Sequence, residues 1–134
     1  MVFTNGCFDI LHVGHVCYLE AARKAGDYLV VGINADASVR KLKGSGRPIN
    51  DQKSRARVLA GLGCVDYVVI FGSKRVTPLL TALKPEIYVK GGDYTEKTLD
   101  AGERNAVKKN GGIIRILPVW KAYSTTKTIQ RMAS

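Results

Sequence analysis

The stretch Met1-Val2-Phe3-Thr4-Asn5-Gly6-Cys7-Phe8-Asp9-Ile10-Leu11-His12-Val13-Gly14-His15 sets the frame for the rest of the chain. Met1 to Thr4 reads as the end of a buried strand, Asn5-Gly6 as a turn signal, and Val13 to Ala25 as an amphipathic helix by its apolar spacing. This predicts a strand-loop-helix corner. At such a corner the first helical N–H groups lack an intrahelical acceptor and the helix dipole is positive, an arrangement that suits a phosphate. His12 and His15 are three positions apart, project from one face and can reach the same phosphate. A lone histidine would read as an ordinary surface or core residue. The pair, with Gly14 between and Gly6 and Asp9 upstream, reads as a phosphate site.

Outward from this corner, Tyr28 to Ile33 is a continuous apolar run of strand length, so strand, helix and strand form a right-handed βαβ unit. No Gly-x-Gly-x-x-Gly follows the first strand, so the dinucleotide fingerprint is absent. Asp51 to Leu62 reads as a helix capped by Asn50 or Asp51, with Leu59 and Leu62 inward and Arg55 toward the phosphate side. Tyr67 to Phe71 reads as a strand, with Asp66 before it a structural residue. Thr77 to Leu83 reads as a helix with Thr77 as cap and Pro78 first inside it, ended by Lys84-Pro85. Glu86 to Val89 reads as a strand, Leu99 to Asn110 as a helix and Ile113 to Leu117 as a fifth strand. The alternation predicts a Rossmann-like α/β fold, a doubly wound parallel five-stranded sheet with helices on both faces. At 134 residues the chain suits a single domain over residues 1–134 and is too short for two cores.

Composition narrows the classes of function. A hydrophobic fraction of 46% with 24% charged residues argues against disorder. No apolar run approaches the ~20 residues that span a bilayer, and no basic segment precedes an apolar one at the N-terminus, so a cytoplasmic protein without a membrane partner is expected. Cys7, Cys17 and Cys64 are odd in number and lack Cys-x-x-Cys spacing, which predicts free thiols and no protein-held metal centre. Cys7 stands where a helix N-terminus lowers thiol pKa values, but no third histidine exists to act as its base. The net charge of +10 favours polyanionic partners such as nucleotides, sugar phosphates or nucleic acid. The basic residues are scattered and only 7% of the chain is aromatic, so nucleic acid is not the expected partner.

Three further segments carry candidates. Val39 to Pro48 reads as a basic loop, in which Lys41, Lys43 and Arg47 can contact a triphosphate or a sugar phosphate; the alternative is a solvated flexible loop. Gly91-Gly92, with Lys90 before and Asp93-Tyr94 after, lies at the C-terminal end of a strand, where open α/β sheets bind ligands and glycine lets the backbone approach. Two glycines alone would read as a turn. Tyr123-Ser124-Thr125-Thr126 puts hydroxyls at another helix start, where Ser124 reads either as an N-cap or as a phosphate contact.

His12-Val13-Gly14-His15 after a first strand resembles the nucleotidylyltransferase superfamily, and Asn5-Gly6-Cys7-Phe8-Asp9-Ile10-Leu11 before it resembles the ADP-heptose synthase type, the heptose 1-phosphate adenylyltransferases. Lys43-Gly44, Arg47-Pro48, Lys90-Gly91-Gly92-Asp93-Tyr94 and Tyr123-Ser124-Thr125-Thr126 resemble later family segments in order, so the likeness runs from residue 2 to about 131. Ala122 departs from the glycine usual in relatives. The resemblance implies catalytic roles for His12, His15 and Lys43. It implies nucleotide binding by Asn5, Gly6, Cys7, Phe8, Asp9, Gly14, Gly91, Gly92, Asp93, Tyr123, Ser124, Thr125 and Thr126, and acceptor or phosphate contacts by Lys41, Arg47 and Arg55. The activity implied is transfer of AMP from ATP to a sugar 1-phosphate, heptose 1-phosphate first. Mg²⁺ would be held mainly through nucleotide phosphates, beside Asp9, and phosphates near the histidines would raise their pKa values. A homodimer is compatible with the resemblance. The sugar-kinase domain of bifunctional relatives is not in this sequence, so a stand-alone transferase domain or a fragment is expected. Cytidylyl transfer to glycerol 3-phosphate or another alcohol phosphate, pantetheine-phosphate or flavin-type adenylyl transfer, and a non-catalytic nucleotide or nucleic-acid binding module remain alternatives.

Overall fold

The computed structural model describes residues 1–92, 94–118 and 129–132. In chain order the elements are β1 (Val2–Gly6), α1 (Val13–Arg23), β2 (Leu29–Asn34), α2 (Asp36–Lys43), α3 (Gln52–Ala60), β3 (Tyr67–Phe71), α4 (Thr77–Leu83), β4 (Ile87–Gly91), α5 (Ala101–Lys109) and β5 (Ile113–Leu117). The five strands form one parallel sheet in the order β3-β2-β1-β4-β5. This is the expected doubly wound arrangement, and the strand order reverses between β1 and β4.

Strand alternation divides the core. Val2, Val31, Ile33 and Val89 face one side, where Leu19 and Ala22 of α1 and Leu59 of α3 cover them. Phe3, Val30 and Tyr88 face the other, under Leu80 of α4 and Val107 of α5. β2 is buried at every position, which is why Leu29 to Ile33 is an unbroken apolar run. β3 is an edge strand with one neighbour, and Tyr67 stays 62% exposed on it.

Three local readings change. Asn5-Gly6 is not a turn but the end of β1, paired with Gly32 and Ile33 of β2. The basic stretch read as a loop is helical as far as Lys43: α2 has Asp36 in its first turn and Arg40, Lys41 and Lys43 in its last, the charge order that the helix dipole favours. Gly44, at φ 97°, ends it. β4 continues through Lys90 and Gly91 rather than stopping at Val89. Smaller shifts occur at helix starts: Val76 rather than Thr77 is the cap position of α4, and Asp51 caps α3 by accepting from the Ser54 N–H at 2.8 Å.

Candidate active site

The two histidines begin α1 and also cap it. His12 is the N-cap residue, and its Nδ1 accepts from the Gly14 N–H at 3.1 Å. The His15 Nδ1 in turn accepts from the His12 N–H at 3.3 Å. The rings stack with centroids 3.8 Å apart. A ring nitrogen that accepts carries no proton, so each neutral imidazole holds its proton on Nε2. Burial lowers the pKa of His12, and burial together with the neighbouring His12 pushes His15 down to about 4. In the free chain, therefore, both rings are neutral and carry their proton on Nε2 at neutral pH.

Phe8 fixes His15 from below. Its backbone lies in the left-handed region, at φ 48°, an unfavourable place for a bulky side chain. The ring is buried, meets His15 edge-on at a centroid distance of 5.3 Å, and covers Gly6. A Cβ on Gly6 would lie 2.9 Å from Phe8 Cε2, so glycine is needed at the end of β1 for close approach.

Asp9 and Arg55 form the base of the site. The Asp9 carboxylate accepts from the Ile49 N–H at 2.8 Å, the Asn50 N–H at 2.9 Å and Arg47 Nε at 2.9 Å. Burial raises its pKa, but the Asn50 and Ile49 amides and the Arg47 guanidinium outweigh that and hold it below the ordinary value. Arg55 is 1% exposed. It donates to the carbonyls of Asn50, Cys7 and Asn34 and to Asp36 Oδ1, all at 2.8 to 3.0 Å. Its guanidinium thus ties the end of β1, β2, α2 and α3 together rather than facing open space, and Arg47 is held against Asp9 through Nε. Each arginine stands beside acceptors that sequence spacing does not reveal.

The Cys7 thiol donates to Asn34 Oδ1 at 3.7 Å. Burial raises its pKa in spite of Lys43, Arg55 and Arg47 nearby, so it stays protonated and is a poor nucleophile. Lys41 and Lys43 are exposed in the last turn of α2, and among the described residues no hydrogen bond joins them to the histidines. Gly91 ends β4 and its carbonyl accepts from the Tyr94 N–H at 3.1 Å, across Gly92 in the turn. Asp93, Ala122, Tyr123, Ser124, Thr125 and Thr126 lie outside the described residues.

Sequence reasoning missed several groups. Asn50 Nδ2 donates to the Asp9 carbonyl at 2.9 Å. Under α1, the Tyr18 hydroxyl lies 2.8 Å from Thr4 Oγ1 and donates to the Val89 carbonyl at 3.2 Å. On the other face, the Tyr88 hydroxyl donates to Asn5 Oδ1 at 2.7 Å, with Glu103 Oε2 at 3.3 Å. Glu103 stands four residues before the buried Val107, a helical spacing that was available to mark it as inward-facing.

As a Mg²⁺ ligand set the described side chains do not fit. Both Asp9 oxygens already accept hydrogen bonds, and among the described residues no three of His, Cys, Asp or Glu converge. Among those residues no helix is long and apolar enough to cross a membrane.

A family model described as cytidylyltransferase-like matches residues 3–131. Proteins called "Bifunctional protein HldE" are similar across 98% of the chain: that of Syntrophotalea carbinolica is 48% identical, and that of Pseudomonas paraeruginosa 52%. The chain spans only 26% and 27% of their respective lengths. Among solved structures, a lipopolysaccharide core biosynthesis protein from Thermoplasma volcanium is 31% identical with a TM-score of 0.71, over 89% of this chain and 94% of that one. A pantothenate synthetase from Thermus thermophilus shares the fold alone, at 18% identity and a TM-score of 0.55, over 97% of this chain and 64% of that one.

Proposed function

Because this chain belongs to the cytidylyltransferase-like, or nucleotidylyltransferase, family, we propose that it transfers AMP from ATP to a sugar 1-phosphate, with heptose 1-phosphate the acceptor. The observation that carries the reading is the pair of stacked histidines at the start of α1, each accepting through Nδ1 so that its proton sits on Nε2. An oxygen of the acceptor phosphate forms a bond to the α-phosphorus of ATP while the α–β bridging bond breaks and pyrophosphate leaves with the electron pair. That nucleophile is already anionic, so no general base and no covalent enzyme intermediate is needed. The chain's task is alignment and stabilisation of charge on the departing oxygens. Two neutral N–H donors do this without reorganisation, since their orientation is set before substrate arrives. The amides in the first turn of α1 add partial positive charge on the same side.

Mg²⁺ would supply screening of the phosphate charge, carried by the nucleotide and not by a protein cage. Lys43 and Lys41 are the cations with freedom to close on bound phosphates, whereas Arg47 and Arg55 support the fold of the site. Gly91 and Gly92, and the segment Tyr123 to Thr126, are the proposed nucleotide contacts. The half-identical bifunctional relatives and the lipopolysaccharide core biosynthesis protein support a sugar acceptor and ATP. The cytidylyltransferase-like family description favours one second reading, CTP with glycerol 3-phosphate.

The test is pyrophosphate release with Mg²⁺ and each of ATP, CTP, GTP and UTP against heptose 1-phosphate, other sugar 1-phosphates and glycerol 3-phosphate, each with a no-acceptor control. Release with ATP and heptose 1-phosphate is the expected result. Release with CTP and glycerol 3-phosphate alone keeps the chemistry and replaces the substrates. Silence from every pair, with salt-sensitive retention of nucleic acid, makes the chain a binding module.

A further inference from the structure

Lys90 differs from every cation described above. It leaves β4 two residues after Tyr88, and so on the face covered by α4 and α5, opposite the one that carries α1 and the histidines. Its ammonium lies 4.7 Å from the centre of the Tyr94 ring and 5.6 Å from that of Tyr88. Aromatic faces attract an ammonium but do not replace an oxygen acceptor for its three N–H bonds. The side chain is half-buried, and burial lowers its pKa. Glu103 acts on it electrostatically but is within hydrogen-bond reach of Tyr88, and among the described residues Lys90 makes no ion pair. An anion joining this half-buried ammonium would supply the oxygen acceptors that the rings do not.

Position suggests which anion. Lys90 is next to last in β4, beside the point between β1 and β4 where the strand order reverses and open sheets form their ligand crevice. Phosphoryl and nucleotidyl transfer place the attacking and leaving oxygens roughly in line, on opposite sides of the phosphorus. The histidine pair lies on the α1 side of the sheet edge and Lys90 on the α4/α5 side. The geometry points to Lys90 as the residue that binds the phosphate of the acceptor, holding its attacking oxygen on the side of the α-phosphate away from His12 and His15. This assignment rests on the transfer reading above. Tyr88 and Tyr94 then serve as walls that keep the ammonium aimed, and Glu103 and Asn5 fix Tyr88.

The test separates the two substrates. Lys90→Met keeps the stem and removes the charge; Lys90→Arg restores a cation, and Lys90→Gln stands in should the Met variant fail to fold. The expected result for the neutral variant is a KM for heptose 1-phosphate raised at least tenfold, an ATP dissociation constant without acceptor within twofold of wild type, and substantial rescue by Lys90→Arg. A purely structural lysine would weaken both substrates together. Unchanged acceptor KM, or loss confined to ATP binding, overturns the assignment. If wild-type protein turns over no substrate pair, the transfer reading fails by itself. Lys90 is then read by calorimetric titration of wild type and variant with glycerol 3-phosphate and inorganic phosphate. Weaker binding to the variant sustains the phosphate site, while equal binding, or none to either, overturns it.

Discussion

On the His15 ring Nδ1 accepts from the His12 N–H, which leaves the proton on Nε2. His15→Ala therefore removes a donor from the reaction and a partner from the cap. We expect kcat to fall by at least ~10²-fold, the usual cost of one such donor. The urea midpoint should report only about 1 kcal/mol of lost capping. Activity within tenfold of wild type, measured by pyrophosphate release, would remove the ring from the mechanism. The spacing of His12, Gly14 and His15 was legible because it follows from helix geometry alone. The tautomers were not, because they depend on which N–H each Nδ1 meets. Arg55 was legible as important but not as buried: its acceptors on Cys7, Asn34 and Asp36 are brought to it only when the strands assemble.

Between elements, the Asp9 carboxylate clasps the segment between α2 and α3 through Arg47, Ile49 and Asn50. With its side chain 1% exposed, it has no water to substitute for a lost acceptor. Asp9→Asn would set an NH₂ against these donors and remove the charge, at about 1.5–3 kcal/mol, the range for hydrogen bonds to charged groups. The measurement is amide exchange: Ile49 and Asn50 should exchange faster in the variant while the fully buried β2 amides keep their order. Uniform acceleration, or none, would show that the clasp is not local. Strands β2, β3 and β5 were readable within about a residue because burial on two faces, or at an edge with a helix beneath, leaves a plain apolar run. α2 was not, since only Ser38 and Val39 of its eight residues are buried and its charge masks any periodicity. Asn5-Gly6 was misread for a related reason: the glycine is required by the Phe8 ring and not by a turn.

For the whole molecule, the half-buried histidines set the response to acid. His15 is held near 4 against an ordinary 6.5, so as pH falls through that interval the unfolded chain takes up the proton first and the folded state loses ground. Above the unfolded value neither state is protonated and the contribution is constant. His12 acts in the same direction, and Asp9, held below its ordinary 3.8, adds a loss only in stronger acid. Urea midpoints should be level between about pH 7 and 8 and decline below about 6.5. His15→Gln should flatten the upper part of that decline; an unchanged profile would mean the ring is not buried in the folded state. The parallel sheet and its reversal point were legible from element order, because right-handed crossovers leave few other ways to stack these strands.

The histidine cap also bears on what position 12 can exchange. Histidine is not among the residues that begin helices best; serine, threonine, asparagine and aspartate are. One of them at position 12 would cap α1 as well, but would give up the stacking contact with the His15 ring. His12 caps through Nδ1 alone, so the same ring carries an imidazole Nε2–H that none of those side chains has. Position 12 is therefore where a small capping residue would separate the stability of α1 from the chemistry proposed for the ring.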